Sequence, residues 1–271
     1  MEKIKAGYST DKTVSEAVKV VKSMIGPMDI KTLIFFASSA YEPAAMSRAM
    51  KESFPQATVF GCTTAGELVT GMMLKGSLVA MAISPEVISD IAISVIKGIK
   101  QEPVAPKVEE AFASFERHFG ATMQELDFSQ YVGMILVDGL SVAEERIMDR
   151  IGDLTNVTFI GGSAGDDLKF ERTHVFADGE AYSDAAILAV VKTAAGFDII
   201  KTQSFYATGK RLIATNVDEA AREAISFDNK PAAEAYAEVL GTTVEDAPNH
   251  FMSHPLGLLA GDEIFVRAHG G

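Results

Sequence analysis

The sequence predicts an α/β protein with mixed sheets, in which a strand–helix–strand–loop–hairpin unit is present twice in a pseudo-twofold relation. Three observations predict it. Near-continuous apolar runs, Thr32 to Ala37 and Tyr131 to Val137, suit strands buried on both faces. Each is followed by a helix and a short second strand. Each second strand then opens into a glycine-rich stretch, FGCTTAGEL at 60–68 and FIGGSAGDD at 159–167. Leu33 matches Gly133, Phe36 matches Leu136 and Gly61 matches Gly161, all at a spacing of one hundred. The loops then differ by one residue, so Gly66 aligns with Gly165 and Glu67 with Asp166.

The elements follow in order. Thr13-Val14-Ser15-Glu16 has capping-box spacing, and Val14, Ala17, Val18, Val21 and Ile25 mark one helical face closed by Gly26-Pro27. After the first strand, Ser38-Ser39 with Pro43 in the first turn predicts a helix to about Ser53. Ala57 to Phe60 is the second strand. Gly76 to Ser84 and Ile88 to Lys97, split by Pro85-Glu86, are expected to form an antiparallel hairpin. An amphipathic helix follows over Val108 to Phe119.

The second half repeats the order. Ser141-Val142-Ala143-Glu144 is a capping-box match opening a helix to about Ile151, and Val157 to Ile160 is a strand. Past the turn Asp178-Gly179, Ala185 to Lys192 and Phe197 to Ala207 are expected to make a second hairpin. A segment rich in alanine and charge follows at Asp218 to Ile225. Asn229-Lys230-Pro231 then starts a helix, Ala232 to Leu240, ended by Gly241. The strand-like Glu263 to Arg267 has no successor, so the region to Gly271 reads as incomplete. The expected division is residues 1–225, holding repeat halves at about 30–100 and 130–207, and residues 226–271.

Composition narrows the function. With 271 residues, 48% of them apolar, the chain can bury a real core. A net charge of −13 argues against nucleic-acid binding and against a polybasic membrane anchor. Cys62 is the only cysteine, which excludes an internal disulfide and a multi-cysteine metal site. MEKIKAGYST lacks a signal-peptide core, and the longest apolar runs fall far short of a membrane span. A soluble cytoplasmic protein is the expectation.

The candidate site is the pair of loops. Gly61, Gly66, Gly161, Gly162 and Gly165 permit positive φ and close backbone approach to a ligand, and successive N–H groups form an anion-binding concavity. Cys62 stands beside them, Thr63, Thr64 and Ser163 add hydroxyls, and Glu67 and Asp166 add one carboxylate per half. Those carboxylates suit a ligand ammonium or the loop's own amides. A small zwitterion or polar metabolite fits; tight turns that cap their own backbone fit as well.

Other chemistry is weaker. Gly161-Gly162-Ser163-Ala164-Gly165 matches G-x-S-x-G, yet Asp166-Asp167-Leu168-Lys169 does not read as the helix a serine-hydrolase elbow requires. Cys62 beside a strand reads as a small apolar residue or as a thiolate nucleophile. His250 and His254 are four apart, but Pro255 and the missing glutamate depart from the zinc-protease pattern. Haem needs one axial histidine in an apolar pocket, which leaves His254, His250 and His174 open.

With these motifs assembled, the chain resembles the FIST family of signal-transduction input domains. The resemblance rests on Gly61-Cys62-Thr63-Thr64-Ala65-Gly66-Glu67, Gly161 to Asp166, Asp184-Ala185-Ala186, and Asn229 to Tyr236. It covers about residues 30–225 as the family's N-terminal part and 227–271 as the start of its C-terminal part. It implies a non-enzymatic bacterial or archaeal sensor of small ligands, amino acids among them, acting on an output partner. The stretch from Gly162 to Asp167 with Phe170, Thr173 and Val175, followed by Pro231 to Tyr236, also resembles a nitric-oxide-sensing haem branch. That branch implies haem b held by a histidine, His254 by motif position, and a partner histidine kinase.

Overall fold

The computed structural model describes residues 2–101, 103–167, 169–219, 223–261 and 263–267. Leu168, part of the stretch 218–225 and the end at Gly271 lie outside the described residues. The chain divides into two compact units, Met1–Asp198 and Ile199–Gly271. Residues 214–218 pair with 223–227, so the segment before residue 225 belongs to the second unit.

The first unit starts with β1 (Ile4–Ser9), α1 (Val14–Ile25), β2 (Thr32–Ser38), α2 (Pro43–Ser53) and β3 (Thr58–Thr64). A small hairpin, β4 (Glu67–Val69) and β5 (Met72–Leu74), precedes β6 (Leu78–Ile83), β7 (Ile88–Lys97) and α3 (Ala105–Phe119). The second half gives β8 (Tyr131–Val137), α4 (Glu144–Leu154), β9 (Phe159–Ser163), the hairpin β10 (Val175–Ala177) and β11 (Glu180–Tyr182), then β12 (Ala185–Thr193).

The helix signals were largely legible. Thr13 caps α1, its Oγ1 accepting from the Glu16 amide, and Gly26 at φ 63° ends it. α2 starts later than Ser38-Ser39 predicts, because the parallel pairing with β3 carries β2 through Ser38. Glu42 is the cap instead, its carboxylate accepting from the Ala44 and Ala45 amides. At α4 the capping box does not form: Ser141 Oγ accepts from Ala143, and Glu144 turns to Ser163.

Sheet partners are where the sequence reading fails. The first sheet runs β1-β6-β2-β3-β10-β11 and the second β7-β12-β8-β9. β6 and β7 are therefore no hairpin: β6 pairs antiparallel with β2, while β7 crosses to the second sheet and pairs with β12. Residues 197–207 form no strand, so β12 finds its partners in β7 and β8. Apolar alternation marks a strand but does not say which neighbour buries it.

The two sheets stack face to face. Ile34, Phe60, Cys62 and Ile83 of the first pack with Ile91, Leu136, Ile187 and Val191 of the second. α1 and α2 cover the outer face of the first sheet, where Val21, Met46, Met50, Leu33 and Phe35 cluster. α3 and α4 cover the second, with Phe112, Phe115, Ile147, Ile135 and Leu188. The result is an α/β/β/α sandwich in which the strand order β6-β2-β3 of the first sheet matches β12-β8-β9 of the second.

The second unit, by itself, holds a sheet of β13 (Ala214–Asp218), β14 (Glu223–Phe227) and β15 (Lys230–Pro231), then α5 (Ala232–Leu240), closed as expected by Gly241 at φ 73°. β16 (Leu256–Ala260) pairs with β17 (Glu263–Arg267). The strand at 263–267 thus has its neighbour before it in the chain. A small core of Tyr236, Ala237 and Ala247 completes this unit. Among the described residues no helix is long and apolar enough to cross a membrane.

Candidate functional site

The parallel pairs β2/β3 and β8/β9 both run toward the same region, and their carboxyl ends carry the two glycine-rich stretches. Crevices beyond the carboxyl ends of parallel strands are where open α/β sheets place ligands. The stretches touch. Gly165 N–H donates to the Thr63 carbonyl at 2.9 Å, and a Cβ at Gly165 would come within 3.0 Å of the Ala65 nitrogen. The second connection is equally direct: Thr63 N–H donates to the His174 carbonyl at 2.9 Å, and His174 N–H donates back to Thr63 Oγ1 at 3.0 Å.

The glycines serve the sheets more than the expected left-handed turns. None of Gly61, Gly66, Gly161, Gly162 and Gly165 has positive φ. Gly61 and Gly161 lie inside β3 and β9, and a Cβ at either would sit 1.8 Å from a carbonyl oxygen, of Phe35 and Ile135 respectively. Close strand approach dictates both. Gly162 and Gly66 face open space or ordinary contact.

Glu67 and Asp166 are buried and turned inward. Glu67 accepts from Thr64 Oγ1 at 2.6 Å and from the Ser77 amide and hydroxyl. Asp166 accepts from the amides of Phe170, Glu171 and Arg172 at 2.9, 2.7 and 3.0 Å. Burial pushes the Asp166 carboxyl up, but the amides of Arg172, Glu171, Phe170 and Lys169 outweigh it and hold the group below its ordinary value. Of the two uses open to these carboxylates, the bonds to their own loops are the ones formed.

Other polar groups occupy the outer side of the junction, and sequence reasoning missed most of them. Asp167, at φ 58°, accepts from Ser38 Oγ at 3.2 Å and Ser39 Oγ at 2.8 Å. Lys169 lies 4.0 Å from Asp167 and donates to Ser39. Ser163 is exposed and donates to Glu144 Oε1 at 2.6 Å. Beneath them the buried Asp138 accepts from the Leu140 amide, the Thr173 hydroxyl and the Asp184 amide, tying β8 to the loops before β10 and β12. Position gave the only available signal: Ser38 ends β2, and Asp138 directly follows the equivalent β8.

Cys62 is buried in the middle of β3, and burial pushes its thiol up to about 12. Ser163 bonds to a carboxylate and to no histidine among the described residues, and no described residue between Ser163 and β10 is helical.

The histidines do not fit an axial haem ligand. His254 is exposed, with Nδ1 2.9 Å from Ser253 Oγ, and His250 Nε2 lies 3.1 Å from Asp246. His174 is half-buried; burial and Arg172 lower its pKa against the pull of Asp138 and Glu42, so its surroundings are polar. None has the apolar setting such a ligand needs. Among the described residues no group of three metal-ligating side chains forms.

Comparison with known proteins gives the family. The chain is 26% identical over 215 residues to the uncharacterized protein MJ1623 of Methanocaldococcus jannaschii, covering 77% of this chain and 41% of that protein. It therefore spans about two-fifths of that relative's length. Among solved structures, a cyanuric acid hydrolase from A. caulinodans is similar with a TM-score of 0.34 and 8% identity, over 70% of this chain and 71% of that one. A likeness that distant carries no inference about activity. The FIST N domain matches residues 31–230, and the chain belongs to the FIST family of sensory, signal-transduction domains.

Proposed function

We propose that the first unit is a non-enzymatic receptor for a small polar ligand of the amino-acid type, held where the carboxyl ends of the two parallel strand pairs meet. The observation that carries this reading is the Gly165–Thr63 hydrogen bond, which joins both glycine-rich stretches at one place. Around it Asp167 and Glu144 offer carboxylates to a ligand ammonium, and Lys169 offers a cation to a ligand carboxylate. Thr64, Gly66, Gly162 and Ser163 present hydroxyls and backbone to the ligand. Glu67 and Asp166 act one step behind, fixing the two loops through their amides and hydroxyls.

The inward-turned carboxylates, the protonated Cys62 and the absence of a histidine at Ser163 among the described residues support binding without turnover. Ligand reaches the output partner, a kinase or comparable signalling protein, by favouring one arrangement of the joined loops over another. Calorimetric titration with a panel of free amino acids tests the reading. A saturable heat is expected for one chemical group of the panel. Lys169→Ala or Ser163→Ala should weaken it roughly tenfold to a hundredfold, the worth of one charge-assisted hydrogen bond. A flat response across the panel by folded protein would refute it.

A further inference from the structure

Equivalent edges of the two sheets differ in what covers them. The outer edge of β3 carries the hairpin β10–β11, with Val175, Phe176 and Ala177 opposite Cys62, Gly61 and Phe60. α2 secures that hairpin, Ser47 Oγ donating to the Glu180 carbonyl at 2.7 Å. β9 holds the same place in the second sheet, but among the described residues no strand pairs with its outer edge. The consequence shows in exposure: β3 is buried from Val59 to Thr63, whereas β9 is exposed from Ile160 to Ser163. Natural proteins rarely leave such an edge open, because its unpaired amides and carbonyls invite another strand.

The chain also carries a hairpin without a sheet. β4–β5 follows β3 just as β10–β11 follows β9, and among the described residues its two strands pair only with each other. The two hairpins share one construction: three residue pairs closed by a two-residue turn whose second member is a positive-φ glycine, Gly71 or Gly179. Phe176 of the β10–β11 hairpin is 1% exposed; in β4–β5 Glu67 is buried, whereas Leu68, at the position of Phe176, is 69% exposed, and Met73 is 79% exposed. That is a large apolar face for so short an element.

We infer that β4–β5 of one copy of this chain docks on β9 of a second copy, repeating between molecules the pairing that β10–β11 makes within one. The internal precedent fixes the register: antiparallel, with Glu67, Leu68 and Val69 opposite Gly162, Gly161 and Ile160 of the second copy. Leu68 then lies beside Ile135 as Phe176 lies beside Phe35, and exposed Ile160 and Met148 gain apolar neighbours. Charge agrees. Lys75, the exposed cation that ends the hairpin, falls at the Ser163 end of the strand, where Glu144 stands. Each copy has one hairpin to give and one edge to offer, so two copies can exchange hairpins reciprocally or the contact can run on along a chain of copies.

Sedimentation of the intact chain tests this. The native protein should show at least a doubling of mass as concentration rises. Leu68→Lys with Met73→Lys, and separately Ile160→Lys, should each sediment as monomer, since every altered side chain is exposed and the fold has no need of it. An equal mixture of these two variants keeps one intact hairpin and one intact edge, and should recover a dimer. Amide hydrogen exchange at residues 160–163 of the native protein should slow with rising concentration, a readout independent of the variants. A native chain that stays monomeric at every concentration, with β9 protected by another segment or another protein, overturns the inference. So does a mixture that fails to associate.

Discussion

Phe176 of the second half stacks on Phe35 of the first, ring centroids 5.1 Å apart and planes within 10°. Both rings are fully buried under α1 and α2, so the hairpin from one half completes the core of the other. Phe176→Ala is expected to cost ~3–5 kcal/mol, the usual range for emptying a buried aromatic site. Urea unfolding of the two proteins measures it. A loss below about 1 kcal/mol would mean that the hairpin is not seated as described.

Glycines one residue apart in β9 should behave oppositely. At Gly161 a Cβ would lie 1.8 Å from the Ile135 carbonyl oxygen, whereas at Gly162 it would meet nothing within 4 Å. Gly161→Ala should therefore lose more than about 2 kcal/mol, and Gly162→Ala should stay within about 0.5 kcal/mol. Gly61→Ala should match Gly161→Ala, because Phe35 plays the part of Ile135. Thermal midpoints of the three variants decide it.

Acid should weaken the fold in two stages. Burial first, then Arg172, holds His174 below its ordinary 6.5, so the unfolded chain takes up that proton before the folded one does. Stability contributed by keeping His174 neutral is complete above 6.5 and declines as pH falls from there to the folded value. Asp166 is depressed by its loop amides despite burial; its contribution holds above its ordinary 3.8 and is lost as pH falls through the folded value. Urea midpoints between about pH 8 and about pH 5 should drop for the native protein and drop less for His174→Asn. Equal slopes would place the titration elsewhere.

Cys62, with its thiol at about 12, should stay unmodified by a disulfide reagent in the folded protein and react fully once unfolded. Rapid labelling at about pH 8 without denaturant would contradict its placement in the middle of β3.

The helices and most strands could be read from the chain, because capping side chains and apolar periodicity are local. Thr13 and Gly26 framed α1, and Gly241 closed α5, as their positions predict. Partner choice could not be read. Leu78–Ile83 and Ile88–Lys97 looked like a hairpin because both are apolar and adjacent, yet each found a better-buried place in a different sheet. The site divides along the same line. Glycine spacing marked where the two halves meet, whereas nothing local showed that Asp167, Lys169, Ser39 and Glu144 come together, because only folding assembles them.

The exchange of β7 and of β10–β11 between the sheets has a mechanical result. A protease cut between β7 and α3 would leave two fragments that remain interlocked, each supplying strands that the other cannot replace. Neither fragment could relax alone, so the halves are expected to melt in one step and to transmit a disturbance at either end as a single body.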